Sequence, residues 1–169
     1  MSARVGILTV SDACAAGRRA DRSGDRIAAW CRTHEHELVV REVVPDETAE
    51  IVPRLLTWSD ELGLDLLLTT GGTGLTPRDV TPEATRAAIE REAPGIAEEM
   101  RRRGLEATPW SMLSRGVVGL RGRTLIVNLP GSPGGVDDGL AVLDGILAHA
   151  VRMLRGVDTA HEGEGGSAP

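Results

Sequence analysis

At 169 residues, with 41% hydrophobic and 26% charged side chains, the chain has the length and apolar content for one globular domain with a substantial core. Its net charge of −6 argues against the basic field that marks general nucleic-acid and anionic-membrane binders, so an anionic ligand must be met by local groups. All 19 basic side chains are arginine, which excludes a P-loop lysine, a lysine Schiff base and a lysyl-adenylate.

The only aromatic side chains of the Phe, Trp and Tyr class are Trp30, Trp58 and Trp110, too few for a base-stacking platform. Cys14 and Cys31 show neither a metal spacing nor a disulfide framework, which implies reduced thiols and a cytoplasmic protein. The apolar run Val5 to Val10 is cut short by Asp12, and no stretch approaches the roughly 18 to 20 apolar residues of a membrane span.

Taken in chain order, strands and helices alternate. A strand over 4–10 is followed by a loop rich in Gly and Arg and a helix over about 23–33; the next strand covers 37–44. Thr48 is placed to cap a helix reaching Leu62. Pro53 conflicts with that, so either the helix starts nearer Glu50 or its first turn is irregular.

The run Asp65 to Thr70 is continuously apolar until its threonines, as in a strand buried on both faces. It enters Gly71-Gly72-Thr73-Gly74, where glycine permits positive φ and lets amides approach an anion. Thr81-Pro82-Glu83 then fits a cap with proline at the first helical position, so a helix from 82 to about 92 points its positive end at the loop. On these residues alone, a tight turn and an anion cradle both remain open.

A break at 93–95 precedes a second helix stopped by Gly104, with Arg101-Arg102-Arg103 as its exposed cationic end. Strands over 116–120 and 124–129 flank a hairpin turn at 121–123. Asn128 to Gly134 forms a rigid loop, and a last helix spans about 136–154. The pattern predicts an α/β fold, three layers α/β/α with a mostly parallel central sheet plus a small hairpin, as a single domain over 1–155 and a disordered tail over 156–169.

Such sheets bind ligands beyond the carboxyl ends of their strands. Ser11-Asp12, Pro45-Asp46-Glu47, Gly71 to Asp79 and Asn128 to Pro133 all fall there, and are expected to converge on one cleft. By itself Asp79 fits equally a carboxylate favoured by a helix dipole, and Asp46 a plain turn residue.

The segments G-I-L-T-V-S-D, D-R-S-G, V-V-P-D-E, T-T-G-G-T-G-L-T-P-R-D-V-T-P-E-A-T, M-L-S-R and N-L-P-G-S-P occur in this order. In this the chain resembles the molybdopterin adenylyltransferases of the MogA/MoaB family, with relatives in plants and in the gephyrin N-terminal domain, over nearly its whole length from Arg4 to about Arg155. The resemblance implies magnesium-dependent transfer of AMP from ATP to the terminal phosphate of molybdopterin, giving adenylyl-molybdopterin and pyrophosphate. The family's two critical aspartates match Asp46 and Asp79, which implies catalytic and magnesium-binding roles for both.

It further implies nucleotide or phosphate contacts at Gly71, Gly72, Thr73, Gly74 and Arg78, and molybdopterin contacts at Ser11, Asp12, Ser114, Asn128, Pro130, Gly131 and Ser132. Ser114 and Arg115 sit in a family-like position that leaves open whether they face ligand or a neighbouring subunit. A homotrimer is implied, with the helix over 95–103 as one candidate surface, as is hand-over to a molybdenum-inserting enzyme. Alternatives are a paralogue of the MoaB type with little adenylylation, which departures in R-D-V-T-P would favour and which are not seen here, and a non-catalytic scaffold module.

Overall fold

The structure is a computed structural model and describes residues 1–157. Its elements are β1 (Arg4–Val10), α1 (Asp12–Ala15), α2 (Arg22–Thr33), β2 (Glu37–Val44), α3 (Thr48–Glu61), β3 (Leu66–Thr70), α4 (Thr81–Ala88), β4 (Arg91–Glu92), α5 (Pro94–Gly104), a 3-10 turn at Pro109–Leu113, β5 (Val118–Arg121), β6 (Thr124–Leu129) and α6 (Pro133–Leu154). They build one sheet in the order β2-β1-β3-β6-β5-β4. β1 runs parallel to β2 and β3, and β3 to β6, while β5 is antiparallel to β6 and to β4.

The period-2 alternation of strands divides the core between the two faces. Val5, Ile7, Leu66, Leu68, Leu125 and Val127 pack with Ile27 and Cys31 of α2 and with Leu140, Leu143 and Leu147 of α6. Leu8, Val10, Leu67 and Ile126 pack on the other face with Ile51, Leu55 and Trp58 of α3 and Ala84 and Ala88 of α4. The expected three layers and mostly parallel sheet are therefore present, with both faces covered.

Several boundaries differ from expectation. α3 starts at Thr48 with Glu47 at its cap and continues through Pro53. The carbonyl that Pro53 cannot serve belongs to exposed Ala49, which water can satisfy, while Arg54 donates to the Glu50 carbonyl at 2.9 Å. α4 ends at Ala88 instead of about 92, because Ile89 turns extended and Arg91–Glu92 pair with β5. The Glu90 and Ala93 amides donate to Leu120 and Val118 carbonyls, so tertiary pairing overrides local helix propensity.

α6 begins at Pro133, since Ser132 accepts from the Gly135 amide as an N-cap. β5 starts two residues later than expected, and α1 and the 3-10 turn were not expected. Gly156 follows α6 with φ +68°, and the rest of the expected tail, 158–169, lies outside the described residues. Among the described residues, no helix is long and apolar enough to cross a membrane.

Candidate functional site

The cleft lies past the carboxyl ends of β1, β2, β3 and β6, and its geometry starts from the end of β3. Gly71 has φ +95°, and a Cβ there would lie 2.2 Å from the Val10 carbonyl oxygen; Gly72 has φ +64°, and a Cβ would lie 2.3 Å from Thr81 Oγ1 and 3.0 Å from Asp46 Oδ1. Only glycine permits this sharp exit with the loop pressed onto the end of β1. Thr81 does not act as the cap of α4: Val80 occupies that position, and the buried Thr81 hydroxyl donates to the Gly71 carbonyl at 2.9 Å. The helix thus ties down the glycine turn.

On the α3/α4 side, three aspartates line the rim. The Asp12 amide donates to Asp46 Oδ2 at 2.8 Å and the Asp46 amide donates to Asp12 Oδ1 at 3.0 Å, which locks the β1 and β2 exits together. Arg78 donates twice to Asp12, at 3.1 and 3.0 Å, and pairs with Glu47 at 2.8 Å. Asp79 Oδ2 accepts from the amide and hydroxyl of Thr76 at 2.8 and 2.6 Å, and a Cβ on Gly74 would lie 3.0 Å from that oxygen. Asp46 and Asp79 thus flank the same glycine segment.

Their titrations differ for physical reasons. Burial, with the neighbouring charges of Asp12 and Asp79, pushes the Asp46 carboxyl up from its ordinary value, against the pull of the Asp12 amide and Arg78. Arg78 holds Asp12 low, and Asp12 and Glu47 hold Arg78 protonated. Burial pushes Asp79 up, but the bonds from Thr76 and Gly74 and the charge of Arg115 outweigh it, so Asp79 sits low. Asp46 is the carboxylate left under-compensated.

On the α2/α6 side, a pocket of about 230 Å³ is lined by Ser11, Arg19, Arg22, Ser23, Gly71 and Gly131, among others. Ser11 Oγ accepts from Arg19 at 3.0 Å and from the Cys14 amide at 3.3 Å, capping α1. Asp21 caps α2, and Ser23 donates to the Gly131 carbonyl at 2.7 Å, joining the α2 start to the β6 exit. Among the described residues neither Arg19 nor Arg22 has a carboxylate partner, so this pocket offers cationic donors.

The expected residues are thus distributed over distinct parts of the site. Asp12, Asp46, Gly72, Gly74, Arg78 and Asp79 share the acidic rim, and Ser11, Gly71 and Gly131 share the arginine pocket. Ser114, Asn128 and Pro130 line a smaller cleft with Arg101 and Ser111. Thr73 is buried and gives its carbonyl to the Arg115 amide at 2.9 Å, and Ser132 is occupied as the α6 cap.

Asn128, expected to contact ligand, borders that cleft but is largely buried, and its side chain bonds within the protein: Nδ2 donates to Thr69 and Thr85 hydroxyls at 2.9 and 2.8 Å, and Oδ1 accepts from the Val117 amide at 3.1 Å. Sequence reasoning missed Arg19, Arg22, Ser23 and the contacts of Arg115. The first three lay in view, within the Gly/Arg-rich loop and the D-R-S-G segment.

Helices on both faces of a mostly parallel sheet, with a polar crevice at the carboxyl ends of its strands, define an α/β ligand-binding domain. Residues 6–149 match the family model described as "Probable molybdopterin binding domain", and the chain belongs to this family of molybdenum cofactor biosynthesis proteins. It is 40% identical to the molybdopterin adenylyltransferase of Escherichia coli K12 over 94% of this chain and 90% of that protein.

It is also 40% identical to the molybdenum cofactor synthesis protein cinnamon of Drosophila melanogaster over 88% of this chain, spanning only 25% of that longer protein. Among solved structures, the molybdopterin biosynthesis enzyme MoaB of Thermus thermophilus superposes with a TM-score of 0.86 at 51% identity, covering 91% of this chain and 97% of that one.

Proposed function

We propose that the protein transfers AMP from ATP to the terminal phosphate of molybdopterin, yielding adenylyl-molybdopterin and pyrophosphate. The observation that carries this is the juxtaposition, across Gly71 and Gly72, of an acidic rim holding Asp46 and a pocket presenting Arg19 and Arg22. One half suits a cation and the other suits an anion, as a reaction between two phosphorylated substrates demands. Kinship to the E. coli adenylyltransferase over 90% of its length supports the same reading.

The chemistry needs no enzyme nucleophile, since a phosphate monoester is largely ionised at neutral pH and its oxygen can attack the α-phosphorus directly. Catalysis is then alignment and charge cancellation. Arg19 and Arg22, with the Ser11 and Ser23 hydroxyls, hold the molybdopterin phosphate, with Gly131 in the wall of the same pocket. Ser114 and Pro130 extend the surface toward α5. The amides of Gly72 and Thr73 and the guanidinium of Arg78, once exchanged from Asp12 and Glu47, meet the nucleotide phosphates.

The residues fit a magnesium ion. Asp46 Oδ1 receives no protein hydrogen bond among the described residues, and its carboxyl is pushed up by burial and by like charge, which a cation relieves. No three acidic, His or Cys groups among the described residues converge to hold a metal alone. Magnesium commonly uses one or two carboxylates and completes its shell with water and substrate phosphate, so Asp46 and Asp79 suffice as its protein ligands. When bound, it would neutralise phosphate charge and polarise the α-phosphate.

The reading includes a cytoplasmic homotrimer that delivers its product to a molybdenum-inserting enzyme. Exposed Leu105, Trp110, Met112 and Leu113, next to α5, are available for such contacts. The test is to incubate the purified protein with molybdopterin, ATP and magnesium and follow pyrophosphate. Release that is abolished in both Asp46→Asn and Asp79→Asn supports the transfer; pterin binding without release assigns the protein to the low-activity MoaB type, a name its 51% identical neighbour carries.

A further inference from the structure

Arg115 lies just before β5, outside the two halves of the site, yet it makes a concentrated set of contacts with the loop that carries Asp79. Its amide donates to the Thr73 carbonyl at 2.9 Å, Nε donates to the Gly74 carbonyl at 2.8 Å, and Nη2 donates to the Asp79 carbonyl at 2.6 Å. The same guanidinium is paired with Glu83 in the first turn of α4. Behind it, Arg101 of α5 donates to the Ser114 and Gly116 carbonyls at 3.3 and 3.1 Å, fixing the backbone on either side.

These bonds act on both ends of one loop. From inside, the Asp79 carboxylate gathers the Thr76 amide and hydroxyl; from outside, Arg115 holds the carbonyls of Gly74 and Asp79. A guanidinium is suited to this because its N–H groups radiate in a fixed plane, so one side chain can hold two carbonyls and a carboxylate at once. A lysine ammonium lacks that fork.

We propose that Arg115, anchored by Glu83, is a positioning residue that fixes the Asp79 loop so that Asp79 faces the same cation and phosphate group as Asp46. Arg115 contacts no reacting atom in this role; it acts through the loop. The proposal rests on the adenylyl-transfer reading for its catalytic consequence, while its structural half stands independently.

The test uses the full chain with Arg115→Ala, Arg115→Lys and Glu83→Gln, and reads hydrogen exchange as well as turnover. In Arg115→Ala, exchange of the Thr76 and Asp79 amides accelerates at least tenfold while the β6 amides keep their wild-type rates. Pyrophosphate release falls at least tenfold in kcat, the magnesium concentration for half-saturation rises severalfold, and KM for molybdopterin stays within twofold. Arg115→Lys and Glu83→Gln fall between Arg115→Ala and wild type, and added guanidinium ion restores part of the Arg115→Ala turnover.

Unchanged exchange over 74–79, or acceleration spread equally over β6, overturns the proposal, as does an active wild type whose magnesium dependence survives Arg115→Ala unaltered. A wild type that releases no pyrophosphate removes the adenylyl-transfer reading instead, and the exchange pattern still decides whether Arg115 holds the loop.

Discussion

Asp12 and Asp46 hold each other through their backbones, each amide donating to the other's carboxylate at 2.8 and 3.0 Å. The pairing joins the exits of β1 and β2 and places two like charges side by side. Arg78 compensates Asp12 through a bidentate contact, so the unrelieved charge falls on Asp46. A cation bound there would remove that imbalance.

The first prediction follows from the sign of that imbalance. A carboxyl whose pKa is raised on folding binds more protons in the native than in the unfolded chain, so its ionisation reduces stability as pH rises from the ordinary value of 3.8 through the raised one. Asp46→Asn keeps an oxygen to accept from the Asp12 amide but carries no charge. Its melting temperature should exceed that of wild type at pH 7, with the gain shrinking toward pH 4, while transfer activity is lost. Thermal melts across pH test it; a variant less stable than wild type at neutral pH rejects the assignment of strain to Asp46.

Arg78 offers a contrast, because its ion pairs with Asp12 and Glu47 are exposed. Exposed pairs are screened by solvent and add little to stability, so Arg78→Ala should leave the midpoint of urea unfolding nearly unchanged. It should nevertheless weaken ATP binding, since one of the cations assigned to its phosphates is gone. Calorimetric titration of ATP against both proteins separates the two effects, and a large stability loss with unaltered ATP affinity would reverse the assignment.

Much of this was visible in the sequence because strand exits carry the motifs. β3 was legible as a strand buried on both faces, and its termination at Gly71-Gly72 follows from the φ values those positions require. The end of α4 was not legible: T-R-A-A-I-E-R-E continues as a helix by propensity, and only the edge of β5 pulls Arg91–Glu92 into a strand. α1 is four residues long, too short to show a period. In the site, the aspartates could be found from their loops, whereas the hold of Arg115 on the Asp79 loop could not, because its partners there include backbone carbonyls that carry no sequence signature.

Asn128 borders the cleft of Ser114 and Pro130, and parity along β6 sets where its side chain points. Leu125 and Val127 face α2 and α6, so Asn128 shares the opposite face with Ile126, toward α4. Asn128→Ala would strand the Val117 amide and the Thr69 and Thr85 hydroxyls in a buried layer. Leaving buried polar groups unmet costs about 1–3 kcal/mol each, partly relieved by rearranged hydroxyls, and we expect a loss of about 3 kcal/mol in chemical denaturation. A loss under about 0.5 kcal/mol would mean the network is dispensable.

At the opposite end of the sheet, Asp65 accepts both arms of Arg155 at 2.8 and 2.6 Å and the Arg4 amide at 2.8 Å, closing the end of α6 onto β1 and β3. Burial pushes this carboxyl up, but Arg155 and the Arg4 amide outweigh it, so it titrates below its ordinary value. A depressed carboxyl contributes stability that is present above pH 3.8 and lost as pH falls through the lower folded value. In Arg155→Ala burial dominates, the shift reverses, and ionised Asp65 becomes a liability at neutral pH. Asp65 is 9% exposed and Arg155 34%, so solvent screens the pair in part, and the loss at pH 7 should be about 1–2 kcal/mol rather than the 3–5 of a fully buried pair. The two proteins should converge in stability as pH falls through the lowered folded value of Asp65, and Asp65→Asn should recover much of what Arg155→Ala loses. A constant gap across the pH range would place the effect in lost packing of the arginine stem and not in the ion pair.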